Sequence, residues 1–167
     1  SILVLPPLNE SVDVQATYGY LSTVTLPLAE LGYYVFPVQV VDQFLKENGM
    51  PTAGEMHQVP LSKVSEIIGA DAVLYVTIQQ YGSKYQVVNS ATLVRVKAKL
   101  VDTKTGILLW EGAGEAQENS GGSGSLIGDM ISAAITQAIN SGTDAAHDTC
   151  RQANENLFYT KNYGLLY

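Results

Sequence analysis

The sequence ATLVRVKAKLVDTKTGILLWEGAGE, residues 91–115, decides the fold of this chain. Residues 91–101 alternate in character, and a period of two places alternate side chains on opposite faces of a β-strand. One face is mainly apolar and consists of Thr92, Val94, Val96, Ala98 and Leu100. The other face carries Arg95, Lys97 and Lys99. This pattern predicts a strand that is buried on one face only.

The next residues predict a hairpin turn. Gly106 can adopt the left-handed backbone conformation without steric cost, and the side chain of Asp102 can accept hydrogen bonds from nearby backbone N–H groups. The returning strand is apolar on both faces near the turn and acidic farther on, at Glu111 and Glu115. Pairing of these carboxylates with the basic row would fix the register of the hairpin.

The charge of the chain limits its partners. Five of the nine basic residues lie in or near the hairpin, namely Lys84, Arg95, Lys97, Lys99 and Lys104. A basic stripe can bind anions, but a solvated strand face is the simpler interpretation in an acidic chain. Nine basic and sixteen acidic residues give a net charge of −7, which argues against nucleic-acid binding.

Upstream of the hairpin, helical and extended patterns alternate. A helix containing Leu21, Val24, Leu28 and Leu31 is predicted to kink at Pro27 and to stop at Gly32. The other predictions are strands at 2–5, 33–37 and 72–80, helices at 40–47 and 61–68, and loops at 8–15 and 50–60.

Downstream of the hairpin, we expect a flexible connection at 118–125, helices at 126–140 and 144–157, and an aromatic tail at 158–167. The predicted fold class is α/β (α+β), a mixed sheet with a long antiparallel hairpin and helices packed on it. A length of 167 residues fits one domain, 1–167, whose C-terminal helices span about 125–157. Since the chain begins inside a strand pattern, we expect that an upstream segment has been removed.

Candidate reactive residues are few. Cys150 is the only cysteine, and the favoured interpretation is a small, partly packed apolar group, with a bond between two chains as the alternative. His147 lies one helical turn before it, which is weak evidence for a metal site. His57 with Glu55 is interpreted as a surface pair. The glycines at Gly122 and Gly124 lack phosphate-loop spacing.

These observations predict no catalytic, metal or cofactor-binding residues. Asp71 and Asp102 lie at a helix–strand junction and a turn, where backbone capping explains an aspartate. No nucleophile elbow, zinc-binding helix or paired carboxylate frame is present in the sequence. We therefore expect a protein that is not an enzyme and that needs no cofactor.

The aromatic tail is too apolar for an ordinary disordered end. It either folds back on the core or contacts a neighbouring chain, and we expect it to stabilise a homodimer. The candidate interface residues are Tyr159, Tyr163, Leu165, Leu166 and Tyr167.

Two motifs carry a resemblance to a known family. Gly69-Ala70-Asp71 before a strand, and Asp102-Thr103-Lys104-Thr105-Gly106 in the hairpin turn, resemble periplasmic lipoproteins related to the TolB N-terminal domain and to CsgG. The stretches 6–11 and 54–57 resemble more closely a bacterial lipoprotein family that includes a genome-derived neisserial antigen. The likeness covers nearly the whole chain.

The resemblance implies a periplasmic, outer-membrane lipoprotein that touches the membrane only through an N-terminal lipid anchor outside this sequence. For activity the resemblance implies little. The apolar C-terminal segment and the missing catalytic motifs favour a non-enzymatic interaction module in envelope transport or secretion, with itself and partner lipoproteins as partners. The alternative that stays open is a small-ligand-binding component of a transport system.

Overall fold

The structure is a computed structural model and describes residues 1–85, 90–120 and 145–159. The strands are β1 (Ile2–Val4), β2 (Leu8–Asn9), β3 (Ala72–Gln80), β4 (Ser83–Tyr85), β5 (Ser90–Asp102) and β6 (Leu108–Ser120). The helices are α1 (Ala16–Glu30), α2 (Val38–Glu47), α3 (Ala53–Met56), α4 (Leu61–Lys63) and α5 (Ala145–Phe158). α4 continues directly into a π-helical turn, Val64–Ile68.

All six strands form one mixed sheet. β1 and β2 pair in parallel with one edge of β3, and β5 pairs antiparallel with its other edge. β4 continues the line of β3 and pairs with the first residues of β5. β6 pairs with the far edge of β5 along its length. The expected mixed sheet with a long antiparallel hairpin is confirmed.

The predicted charge pairing sets the register of the hairpin. Arg95 lies opposite Glu115, and its Nε donates to the Glu115 carboxylate at 2.7 Å. This bond raises the pKa of Arg95 and lowers the pKa of Glu115. Lys99 lies opposite Glu111 in the same ladder. The basic row of β5 and the acidic row of β6 therefore run side by side on one face.

Each face of the sheet packs against its own hydrophobic core, and the two cores are separate among the described residues. The first core lies under α1 and α5 and takes the even positions of β3 and β5, including Leu74, Val76 and Val96. The second core lies under α2–α4 and takes Leu3, Leu5 and Val73. No residue of β5 or β6 belongs to the second core, so the described structure covers the hairpin on one face only.

Several sequence-based boundaries were wrong. The expected loop 8–15 contains β2, and the expected loop 50–60 contains α3, which a Thr52–Glu55 capping box nucleates. The expected strand 33–37 is reduced to a single bridge from Val35 to Ile2. β6 extends to Ser120, through the start of the expected connection at 118–125. The predicted helix at 126–140 and the pattern at Gly122 and Gly124 lie outside the described residues.

A buried polar seam joins α1 to α5. Asn154 Nδ2 donates to Thr23 Oγ1 at 3.0 Å, and that hydroxyl donates to the Tyr20 carbonyl at 2.9 Å. Cys150 Sγ lies 3.3 Å from the same hydroxyl and is 0% exposed. The thiol is thus fully packed rather than partly packed. A bond from Cys150 to a second chain does not fit this burial.

α5 lies very close to the hairpin at Gly114. A Cβ at this position would lie 2.3 Å from the Ala153 carbonyl oxygen and 2.7 Å from Leu157 Cβ. Only glycine fits between strand and helix here.

We predict that Gly114→Ala lowers the free energy of unfolding by about 1–3 kcal/mol, because backbone atoms of α5 must move to admit the methyl group. Urea unfolding measures the change. Gly54→Ala is the matched control, since an added Cβ there would meet only Thr52 Oγ1 at 3.9 Å. Equal midpoints for the two variants would contradict the close helix–strand contact.

We also predict that Cys150 reacts with a maleimide only when the chain unfolds, because its sulfur is buried against Thr23. The control places a cysteine at exposed Ser22 on the same helix as Thr23, in a Cys150→Ala background. Labelling of native Cys150 as fast as the Ser22→Cys control, or a disulfide-linked dimer on a non-reducing gel, would refute the burial.

Candidate interaction surfaces

The tip of the hairpin exposes three consecutive aliphatic residues. Ile107, Leu108 and Leu109 are 61%, 48% and 53% exposed. We call these three residues the hairpin-tip patch. Single exposed apolar side chains are ordinary, but a run of three where a turn meets a strand is a feature that stability alone does not explain.

The hairpin-tip patch is held on a rigid turn. The Asp102 carboxylate accepts bonds from the Thr105 hydroxyl and from the backbone N–H groups of Thr105 and Lys104, which lowers its pKa. The Thr103 hydroxyl donates to the Ala70 carbonyl at 2.6 Å. Gly106 has the predicted left-handed conformation, φ 71°. These contacts anchor the turn to the start of β3.

The outer face of the hairpin is the second surface. Tyr75, Thr77, Lys97, Lys99, Glu111 and Ala113 line a shallow depression of about 590 Å³, which we call the open sheet face. Lys99 Nζ lies 5.1 Å from the centre of the Tyr75 ring, a cation–π contact. Carboxylates of β6 stand beside the basic row of β5, so their charges offset one another. This arrangement favours a solvated face over an anion site.

His57 lies beside the open sheet face and is partly buried, contrary to the expected surface position. Its Nε2–H donates to the Pro6 carbonyl at 2.9 Å, and its ring packs edge-on against Tyr75. Burial lowers the pKa of His57, and the nearby Lys99 charge acts in the same direction. Glu55 does not pair with His57, because its carboxylate caps Thr52. His57 therefore acts as a packing group.

The third surface is an apolar groove of about 430 Å³ between α2 and the α4–π segment. We call it the helical groove. Leu45 and Val64 form its floor, and Phe44 and Ile67 form its two lips. Sequence reasoning missed this groove because its walls come from separate helices. The adjacent Ile67 and Ile68, directly after Ser65 and Glu66, were the available signal.

Of the five candidate interface residues in the aromatic tail, the structure describes one. Tyr159 directly follows α5 and has 40% of its surface exposed, and its hydroxyl donates to the Glu30 carboxylate. Burial of the hydroxyl and this bond raise the pKa of Tyr159 to about 12. Tyr163, Leu165, Leu166 and Tyr167 lie outside the described residues. A role of these five residues at an interface stays a prediction.

The first residues of the aromatic tail pack on the core. Phe158 is 1% exposed and stacks on Trp110 with ring centres 5.8 Å apart. Within the described residues, no group of three or more His, Cys, Asp or Glu side chains is placed to hold a metal ion. The expectations of no catalytic, metal or cofactor-binding residue stay predictions.

The fold and these surfaces define the class of protein: a mixed α+β domain of the kind found in bacterial lipoproteins. The chain belongs to the GNA1162-like family, described as "Putative lipoprotein GNA1162-like", whose model matches residues 1–167. Membership of a lipoprotein family implies an envelope-associated location. The family resemblance noted from the sequence is confirmed.

Two comparisons with Neisseria meningitidis show how near the relationship is. The chain is 46% identical over 158 residues to "Putative lipoprotein NMB1124/NMB1162" of Neisseria meningitidis, which covers 94% of this chain and 74% of that protein. It matches the crystal structure of lipoprotein GNA1162 from Neisseria meningitidis with a TM-score of 0.67 and 48% identity, covering 83% of this chain and 97% of that one.

A solved structure with much lower sequence identity has a similar fold. The PelC dodecamer from Paraburkholderia phytofirmans matches with a TM-score of 0.50 and 14% identity, over 94% of this chain and 86% of that one. At this identity the likeness shows the fold alone. Among the described helices, none is both long enough and apolar enough to span a membrane.

We predict that the packing of His57 makes stability depend on pH. Its pKa in the folded chain lies below the ordinary value of 6.5, so the unfolded chain binds more protons just below that pH. The contribution of His57 to the free energy of unfolding should therefore be complete above about pH 6.5. It should decrease as the pH falls below this value.

Urea unfolding of the native chain and of His57→Gln at pH 7.5 and pH 5.5 measures this effect. The glutamine can still donate a hydrogen bond but does not titrate, so its loss of stability between the two pH values should be smaller. An equal loss in both proteins would contradict the assignment to His57.

Proposed function

We propose that this chain is a non-enzymatic assembly module of the bacterial envelope. In this proposal, an N-terminal lipid anchor holds it on the periplasmic side of the outer membrane. It acts in transport or secretion by binding a second copy of itself and partner lipoproteins. The observation that carries the proposal is the hairpin-tip patch, a rigid apolar protrusion with no cover in the described structure.

A partner that covers the hairpin-tip patch would remove apolar surface from water without a large entropic cost of ordering the turn. Ile107, Leu108 and Leu109 each leave about half or more of their surface in water. Covering such side chains contributes roughly 25 cal/mol for each Å² of apolar area removed from water. Because the turn is already fixed by Asp102 and Thr103, a partner gains this free energy with little loss of backbone entropy.

The open sheet face supports self-association in particular. A twofold axis along the strands, between β5 and β6, would place Lys99 of one copy over Glu111 of the other and Arg95 over Glu115. A surface that is complementary to itself in this way suits the isologous interface of a homodimer. The charges would set orientation, and the apolar tip would supply affinity.

The helical groove favours a second candidate function, a small-ligand-binding component of a transport system. Its volume of about 430 Å³ lies within the roughly 300–1,000 Å³ that ligand pockets occupy. This function is compatible with the first, because the groove and the open sheet face involve different side chains.

We predict that the native chain is a dimer by light scattering and that Ile107→Glu with Leu109→Glu weakens dimerisation about tenfold or more, because the interface would bury unpaired carboxylates. Leu26→Glu is the control, since Leu26 is 55% exposed on α1, away from the hairpin tip. A monomeric native chain, or a double variant that dimerises as well as the control, would contradict the role of the tip in self-association.

A deletion tests the role of the aromatic tail in self-association. Truncation must begin at residue 160, because Phe158 is a core side chain and Tyr159 bonds to Glu30. A monomer after loss of residues 160–167 would support the expected tail interface. An unchanged dimer mass would exclude the tail from the interface and leave the hairpin-tip patch as the candidate.

Crosslinking of the full-length lipidated protein in cells, with and without the substitutions in the hairpin-tip patch, identifies the partners.

A further inference from the structure

The helical groove has the character of a ligand site for an aliphatic chain. Its floor is Leu45 and Val64, each 2% exposed, and its walls include Met50, Val59 and Ile68. The polar side chains that line it stand at the rim. An occupant of the groove interior would gain dispersion and desolvation rather than hydrogen bonds, which suits a hydrocarbon chain better than a sugar or a nucleotide.

The polar groups at the rim are unequally engaged. The Asn48 amide donates to the Phe44 carbonyl at 2.7 Å, and the Glu55 carboxylate accepts from Thr52. Lys63 is held only loosely, with its Nζ 3.8 Å from Glu66 and 61% of its side chain exposed. An ammonium group has three donors, so Lys63 retains the capacity to bind an anion at the groove mouth.

The backbone at the groove is itself unusual. Val64–Ile68 forms a π-turn closed by the bond from Gly69 N to the Val64 carbonyl, at 3.1 Å. π-turns are rare and occur frequently at functional sites. Here both Ile67 and Ile68 line the groove together with Lys63 and Val64, which lie one turn earlier. The irregular backbone thus coincides with the groove wall and with the loosely held cation.

A third feature is the exposure of the lips. Phe44 is 36% exposed and Ile67 is 62% exposed, and both side chains line the groove. A hydrocarbon chain bound in the groove would contact both side chains. They would then bury apolar surface that is now in contact with water.

We propose that the helical groove binds a fatty-acid-type amphiphile, with its hydrocarbon chain between Phe44 and Ile67 and its carboxylate at Lys63. The loosely paired Lys63 ammonium group at the mouth and the aliphatic floor select this occupant. The proposal deepens the second candidate function and does not depend on the hairpin-tip patch. Its failure would leave the dimer test of the tip unaffected.

The test uses laurate as the probe and measures binding to the whole chain by isothermal titration calorimetry and native mass spectrometry. We expect one molecule bound per chain. Lauryl alcohol, which has the same chain and no charge, should bind about tenfold more weakly because it lacks the charge-assisted bond to Lys63. Equal affinity for the two probes would overturn the placement of the head group at Lys63.

Two variants locate the site. Lys63→Glu should weaken laurate binding about tenfold and leave lauryl alcohol unchanged, whereas Lys97→Glu on the open sheet face is the charge-matched control with native affinity. Ile67→Trp should block the groove for both probes, and Leu26→Trp on α1 is its size-matched control. Urea midpoints near the native value keep a loss of binding separate from a loss of fold.

Four results would overturn the proposal. One is the absence of laurate binding to the native chain. Another is binding that survives both Lys63→Glu and Ile67→Trp. The third is a change in oligomer mass on Ile67→Trp without any laurate binding, which would assign the groove to a second protein chain. Binding to phosphatidylglycerol vesicles but not to free laurate would likewise exclude a fatty-acid ligand.

Discussion

The structure depends on the pairing of β5 with strands on both of its edges. β3 fixes one edge and β6 the other, so the alternating residues of β5 can lie in only one way. A slip of one residue would turn Val94, Val96 and Leu100 out to water and bury Arg95, Lys97 and Lys99. The cost of burying unpaired cations therefore enforces the register, and with it the position of the turn and of the hairpin-tip patch.

The unequal covering of the sheet connects this register to the proposed function. α1 and α5 cover one face of the hairpin, and α5 approaches so closely that Gly114 has no room for a side chain. The described helices on the other side cover only β1 and the first part of β3. The result is a domain with a stable inner core, a charged open face and an apolar tip, which are features suited to assembly.

Long elements with a regular pattern could be predicted from the sequence. Very short elements and sites built from several elements could not. The bounds of β3, the buried face of β5 and the turn at Gly106 all follow from periodicity and turn chemistry. β2 and α3 are too short to leave a periodic pattern, and the packing of His57 and Cys150 depends on residues distant in the chain. The helical groove is assembled from three helices, so only the adjacent Ile67 and Ile68 gave a local signal. The tip was visible as apolar residues on both faces near the turn.

Hydrogen exchange monitored by mass spectrometry directly tests whether β5 is paired on both of its edges. The account predicts that peptides within residues 92–101 are the most strongly protected of the hairpin, because their amides lie in a strand paired on both edges. Peptides within 112–118 should exchange faster, since β6 is paired only to β5 among the described strands. Rapid exchange throughout 92–101, or protection confined to 112–118, would contradict the arrangement of the sheet.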